Sequence, residues 1–359
     1  MLTVAIVLVG VVRWGILTPG LQGRLLFPAL PAIALLLSAG LDPPYEVLKH
    51  PALSRLRQLT KLYPFPYLLI AAAVPFVSIG PAYARPELTG TGGASAQVRW
   101  TGAAQSEMVS SESPSMPIHP GEELPLVFRW LTREPIRLDL ALFIKVFGED
   151  DELLASTDTF PGFGMFPTTS WPANQVIVDR YRLRVSPAAH APVYGEVVVG
   201  FYDRATGRSL VPTNPGGGRI VRPVVTRARI VPANSEGAAP THILAADFGD
   251  EIGLRGYDID ASGITLHWQA LRKPAADYTV FVQALDSAGA VLAQADGRPR
   301  HGAYPTSIWE PGERVPDMHA LAWPPQTTRV AVGLYELESG ARLPLTGQGA
   351  DSVLIDLPR

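Results

Sequence analysis

Moved forward by 138 residues, the second half of this sequence falls on itself. Trp130 meets Trp268, Phe143 meets Phe281, Pro167-Thr168 meets Pro305-Thr306, Trp171 meets Trp309, Asp179 meets Asp317 and Leu183 meets Leu321, without a gap. The offset then drops to 133, and Val199-Gly200-Phe201-Tyr202 meets Val332-Gly333-Leu334-Tyr335, Gly207 meets Gly340 and Leu210 meets Leu343. Anchors in fixed order at a fixed spacing mark a duplicated structural unit. The chain must therefore build one fold twice, in modules over 98–232 and 241–359.

Each copy reads as all-β. Residues 123–130 and 264–268 alternate apolar and polar side chains, as do 138–146 and 278–285, which is the period of a half-buried strand. Shorter strands are expected at 153–156 and 291–294, and further ones at 176–185, 196–202, 314–323 and 329–335. Seven or so short strands per copy, with turn residues between them, predict two immunoglobulin-like sandwiches in tandem. The chain has no cysteine, which excludes a disulfide scaffold, a zinc–thiolate site, an iron–sulfur cluster and a cysteine nucleophile. Residues 85–97 and 233–240 are small, polar and Pro- or Gly-bearing, and read as linkers about which the modules move.

What precedes the repeat is of another kind. Residues 1–85 hold seven Lys/Arg and two acids, a balance of +5; residues 86–359 hold 23 and 31, a balance of −8. Apolar runs there predict a membrane α-helical section over 1–84 with two to three transmembrane helices, at about 1–18, 24–41 and 65–82. The first run is a short span or the end of a longer helix. It lacks the basic start and small-residue cleavage site of a signal peptide. Pro28 and Pro31 fall in the first turns of the second, where missing amide donors cost least. Lys49, Arg55, Arg57 and Lys61 lie between the second and third runs, against Arg13 and Arg24 between the first and second. Four bases against two place the 42–63 loop in the cytoplasm and everything after about residue 85 outside the cytoplasmic membrane.

Residues suited to chemistry are few. The acidic run Glu149-Asp150-Asp151-Glu152 lies over the Asp286–Gly289 turn of the other copy and reads as a solvated hairpin, without the ligand spacing of a calcium loop. The seven histidines show no metal-ligand spacing, so neither metal nor cofactor is expected. Asp179 and Asp317, one per module, are too far apart in the chain's organisation to serve as paired catalytic carboxylates, and read as acceptors for turn amides. Trp171 and Trp309 each follow a Pro-Thr turn. They either close one end of a sandwich or, if a ring is exposed, offer a platform on which a glycan stacks. Arg24, at the outer end of the second span, either snorkels to the interface or pairs with the phosphate of a lipid carrier. A net charge of −3 sets nucleic acid aside as a partner.

The stretch Gln22-Gly23-Arg24-Leu25-Leu26-Phe27-Pro28-Ala29-Leu30-Pro31-Ala32 resembles the late transmembrane region of bacterial GT-C membrane glycosyltransferases, the dolichyl-phosphate-mannose–protein mannosyltransferase-like superfamily. Residues 278–345 are similar to the β-sandwich domains appended to its Chloroflexi-type members. The resemblance implies transfer of a sugar from a polyprenyl-phosphate carrier to an acceptor outside the membrane. The family's catalytic acid is an Asp in the first extracytoplasmic loop. No residue here matches it, since Asp42 and Glu46 fall on the cytoplasmic side, and so no catalytic residue is carried over. The chain is thus expected to be the non-catalytic C-terminal portion of such an enzyme, its sandwiches positioning glycan or acceptor or binding a protein. The alternative is a stand-alone membrane-anchored surface protein that binds a glycan or a cell-surface protein.

Overall fold

The computed structural model describes residues 86–91, 96–102, 104–233, 239–347 and 349–357. The membrane section, with its expected helices, the 42–63 loop and Arg24, lies outside the described residues. Among the described residues no helix is long and apolar enough to cross a membrane.

The described part is all-β. Its strands are β1 (Glu87–Thr91), β2 (Val98–Thr101), β3 (Ser106–Glu112), β4 (Glu123–Leu131), β5 (Leu140–Phe147), β6 (Leu153–Thr159), β7 (Gln175–Arg184), β8 (Val193–Asp203), β9 (Val211–Thr213) and β10 (Val224–Ile230) in the first module. The second holds β11 (His242–Phe248), β12 (Ile252–Asp260), β13 (Gly263–Ala270), β14 (Tyr278–Leu285), β15 (Val291–Gln294), β16 (Arg314–Ala320), β17 (Arg329–Glu336) and β18 (Val353–Asp356). Sheet orders are β1-β7-β4-β3-β2-β9 and β10-β8-β5-β6 in the first, and β11-β12-β13-β16 and β15-β14-β17-β18 in the second. Each module is sandwich-like, with one apolar core between its two sheets.

The duplication holds at the level of register. Trp130 lies opposite Ile177 across β4 and β7, and Trp268 lies opposite Val315 across β13 and β16, the same pair moved by 138. Both indoles are buried in the core at equivalent positions. Trp130 packs edge-on to Phe201, ring centroids 4.9 Å apart, and close to Trp100 and Trp171. Phe143 lies opposite Gly200 and Phe281 opposite Gly333. A Cβ on either glycine would stand 2.3 or 2.4 Å from the facing ring, so the repeated Val-Gly-aromatic-or-Leu-Tyr pattern exists to let a phenylalanine lie across the strand.

The segment expected as a linker at 85–97 contains β1, which pairs with β7 through Glu87–Val178 and Leu88–Ile177. An open sheet edge leaves amides and carbonyls unpaired, and the polar segment satisfies them. The corresponding edge in the second module is β16, and there Pro316 stands where the first module has Val178. Leu321 donates to the carbonyl of Ser262, so the odd-numbered residues of β16 turn their main-chain groups to β13. Pro316 therefore faces the open side, where it removes the donor that an added strand needs. We expect Pro316→Val to make the protein self-associate in a concentration-dependent way on size-exclusion chromatography. Unchanged elution at high concentration would show that the edge is guarded by something else.

Candidate functional site

Most of the repeated polar residues turn out to build the modules. Thr168 accepts from the Leu140 amide at 2.9 Å and donates to the Leu138 carbonyl; Thr306 does the same for Tyr278 and Ala276. Trp171 and Trp309 are 3% and 0% exposed, and each indole N–H donates to a backbone carbonyl 3.1 Å away, of Phe166 and Tyr304 respectively. Stacking on a glycan requires an open ring face, and neither ring has one. Each closes an end of its core, because a Pro-Thr turn aims the indole inward.

Asp179 and Asp317 are buried acceptors for turn amides, as read from the sequence. Asp179 takes the Gly162 amide at 3.2 Å and Asp317 the Arg300 amide at 2.8 Å. Two residues on along the same strand, Tyr181 donates to Asp179, and His319 contacts Asp317 at 2.7 Å. Burial pushes the Asp179 carboxyl up to about 6, against the pull of Tyr181 and the Gly162 amide. A carboxyl that ionises less readily folded than unfolded contributes stability below its ordinary value of 3.8, and that contribution is lost as pH rises through about 6. The shift corresponds to about 2 kcal/mol between pH 4 and pH 7. Asp179→Asn keeps an acceptor for Gly162 without the titration. Urea unfolding of the first module at both pH values should show the wild type losing stability to the variant as pH rises. Parallel curves would refute it.

What distinguishes the copies is the loop these aspartates hold. Gly162-Phe163 in the first module becomes Arg300-His301 in the second, with the same left-handed backbone (φ 59 and 51° against 54 and 51°). Gly162 adopts this conformation freely; Phe163, Arg300 and His301 are strained in it by about 1 kcal/mol each. The loop sets Arg300 and His301 against the first module. Arg300 Nη2 lies 2.9 Å from one oxygen of Glu149, and His301 Nδ1 lies 2.7 Å from the other. Glu149 is thus an inter-module ligand with a side chain only 16% exposed, and not part of a solvated hairpin. The bond from Gly148 to the Glu152 carbonyl matches that from Asp286 to Ala290, which places Ser287 at the position of Glu149.

Two further attachments cross the junction. The Tyr194 amide donates to the Ala303 carbonyl at 2.7 Å. Arg229 of β10 reaches Glu313 at 3.1 Å and Glu310 at 3.7 Å, and Tyr304 donates to the other oxygen of Glu313. Burial, with the Glu313 charge, raises the Tyr304 hydroxyl far above its ordinary range, so it stays protonated and keeps donating. Burial alone would lower the Arg229 guanidinium; Tyr304, Glu313 and Glu310 outweigh it and raise the net value. Tyr194 and Val231 pack on the second core, and Ala303 on the first. The expectation of modules moving about a polar linker at 233–240 meets a junction bonded at three places.

Beside this junction lies a cleft of about 570 Å³ whose walls come from both modules. The first supplies the Gly148–Asp151 turn, Tyr194, Glu196, Arg222 and Arg227; the second supplies Asp277, Arg298 and the loop from His301 to Pro305. Arg222 pairs with Glu196 at 3.1 Å and with Asp151, and lies over the Phe147 ring. Arg227 pairs with Glu196 at 2.9 Å.

No family model matches the chain, and no curated protein matches it.

Within the cleft Glu149, Asp150 and His301 bring possible ligand atoms within 4.8 Å of one another. A metal ion there would compete with Arg300 for Glu149 and face Arg298 besides, which disfavours it. Sequence reasoning missed the cleft because it followed residues the copies share. The signal lay in their differences: a glutamate where the partner copy has Ser287, and Arg300-His301 where the other has Gly162-Phe163.

Proposed function

We propose that this chain is the C-terminal membrane and extracytoplasmic portion of a membrane glycosyltransferase that uses a polyprenyl-phosphate sugar, and that its two immunoglobulin-like sandwiches hold glycan or acceptor for it. The structural observation that supports this is the bonded junction, which makes the tandem one arm with a cleft of fixed walls. A cleft of that kind can hold a ligand between both modules at once. The similarity of residues 22–32 and 278–345 to the family supplies the chemistry, and the +5 section before residue 85 supplies the anchor. In this reading Arg24 faces the carrier phosphate. Transfer also needs a carboxylate to take the acceptor's proton, and none is assigned in this chain.

Reconstituted into vesicles with a polyprenyl-phosphate sugar and a range of acceptors, the chain is expected to transfer nothing. Turnover would make it an enzyme in its own right. The topology is tested separately, since the absence of cysteine gives a clean background. Ser235→Cys should react with an impermeant maleimide on intact cells and Ser54→Cys should not; the reverse pattern inverts the proposal. The cleft, being built entirely within the sandwiches, also fits a stand-alone surface binding protein. An in-frame coding sequence upstream of Met1 with further hydrophobic segments favours the glycosyltransferase reading; a ribosome-binding site preceded by a stop codon favours the other.

A further inference from the structure

The ion pairs lining the cleft consume most of its charge. Arg222 and Arg227 are held by Asp151 and Glu196, and Glu149 by Arg300 and His301. Asp277 takes the Ser307 amide on one of its oxygens. What remains unpartnered among the described residues is one cation, Arg298, one carboxylate, Asp150, and the hydroxyl of Tyr194. The cleft thus offers free donors and a free acceptor together, on walls from both modules.

We infer that this cleft binds a neutral oligosaccharide, with Arg298, Asp150 and Tyr194 as its principal contacts. The inference rests on the reading of the sandwiches as glycan-holding modules, and gives it a site and a ligand class. A hydroxyl is the group that donates and accepts at once, so vicinal hydroxyls satisfy a carboxylate and a guanidinium without breaking either's neighbours. A net anion would meet Asp150, Asp151, Glu196 and Asp277, and a net cation would meet Arg222, Arg227 and Arg298; each carries a desolvation cost that a neutral polyol avoids. The Tyr194 ring, Ala303 and Pro305 supply apolar surface for the C–H face of a pyranose. The volume falls within the ~300–1,000 Å³ usual for small-molecule sites. Because the contacts come from both sandwiches, the ligand is read only while the junction is closed.

The test uses the full chain in lipid nanodiscs, with saturation-transfer NMR and titration calorimetry. The probes are neutral trisaccharides (of glucose, mannose and N-acetylglucosamine), with trigalacturonate and a glucosamine trimer as anionic and cationic counterparts. At least one neutral trisaccharide should bind, and more tightly than both charged probes. Arg298→Ala and Asp150→Ala should each weaken it roughly tenfold or more, the loss expected for a hydrogen bond to a charged group. Neither side chain has a partner to lose, so Arg298→Ala should melt as the wild type does; Asp150 sits at a left-handed φ of 50°, where alanine is less at ease than aspartate, so Asp150→Ala should melt slightly lower and its binding is measured well below that transition. Arg182→Ala, at an exposed position on β7, should bind unchanged. Neutral binding that both variants leave intact would overturn the cleft assignment while leaving glycan positioning standing. Tighter binding of a charged probe would overturn the ligand class. Binding that requires added Ca²⁺ or Zn²⁺ would make the cleft an ion site at Glu149, Asp150 and His301. Absence of any saccharide binding would overturn the inference, and the glycosyltransferase reading is then decided by the upstream reading frame.

Discussion

Trp268→Ala is expected to remove about 4 kcal/mol from the second module, and Trp130→Ala a similar amount from the first. Each indole is among the largest fully buried side chains and stands mid-strand at the centre of its core. Trp268 meets Phe248 edge-on at 6.0 Å, and its strand is hydrogen-bonded on both sides, to β12 and β16. Neighbours tied into two ladders cannot collapse into the space left behind, so the cavity term adds to the lost transfer energy. Stabilities of ~5–15 kcal/mol are usual for a domain, and a loss of this size is a large fraction of either. Urea unfolding followed by near-ultraviolet circular dichroism would measure it. The duplication makes the prediction sharper, because the two losses should agree within about 1 kcal/mol. A loss under about 1 kcal/mol at one site and a large loss at the other would mean that the equivalent positions carry different loads.

Much of this fold was legible because the repeat aligned strands with strands. The alternation of Leu124, Leu126, Phe128 and Trp130 marks β4, and that of Tyr278–Leu285 marks β14 at the residues where it lies. The strands that escaped notice are those whose pattern is weak. Ser106–Glu112 buries Ser106, Glu107 and Met108 in succession, and Glu107 finds its partners inside, Arg99 at 2.9 Å and Arg133 at 3.2 Å. No binary pattern marks such a strand as half-buried. Glu87–Thr91 is short, polar and Gly-bearing, and becomes a strand only because β7 presents an unpaired edge. The site was hidden for a different reason. Trp171 and Trp309 drew attention by recurring, and recurrence selects for what folds the module. Glu149 and Arg300 belong to one module each, and their meeting across 151 positions leaves no local trace in the sequence.

Cutting the junction at both ionic clusters should convert one melting transition into two. The wild-type sandwiches are joined by Glu149 with Arg300 and His301, by Arg229 with Glu310, Glu313 and Tyr304, and by the Tyr194–Ala303 backbone bond. Arg229 and Glu313 are only 14% and 13% exposed. Removing one partner of a buried pair costs about 3–5 kcal/mol, because the other is left charged and unpaired; the residual exposure here brings the expectation for Arg229→Ala to about 2–3 kcal/mol. Glu149→Ala should cost less, since Arg300 and His301 regain water more easily. In the double variant the ionic part of the coupling is lost while both cores, the Tyr194–Ala303 backbone bond and the apolar packing stay. Calorimetry should then resolve two endotherms, each close to that of an isolated module. Small-angle scattering should show a broader distribution of inter-module distances. If the double variant melts in a single transition at the wild-type temperature, the Tyr194–Ala303 bond and the apolar packing of Tyr194, Val231 and Ala303 suffice to join the modules. The salt dependence of the wild type separates these cases in advance: ionic clusters this shielded should lose little coupling between 0.05 and 0.5 M salt, roughly a threefold change in screening length, whereas exposed pairs would lose most of it.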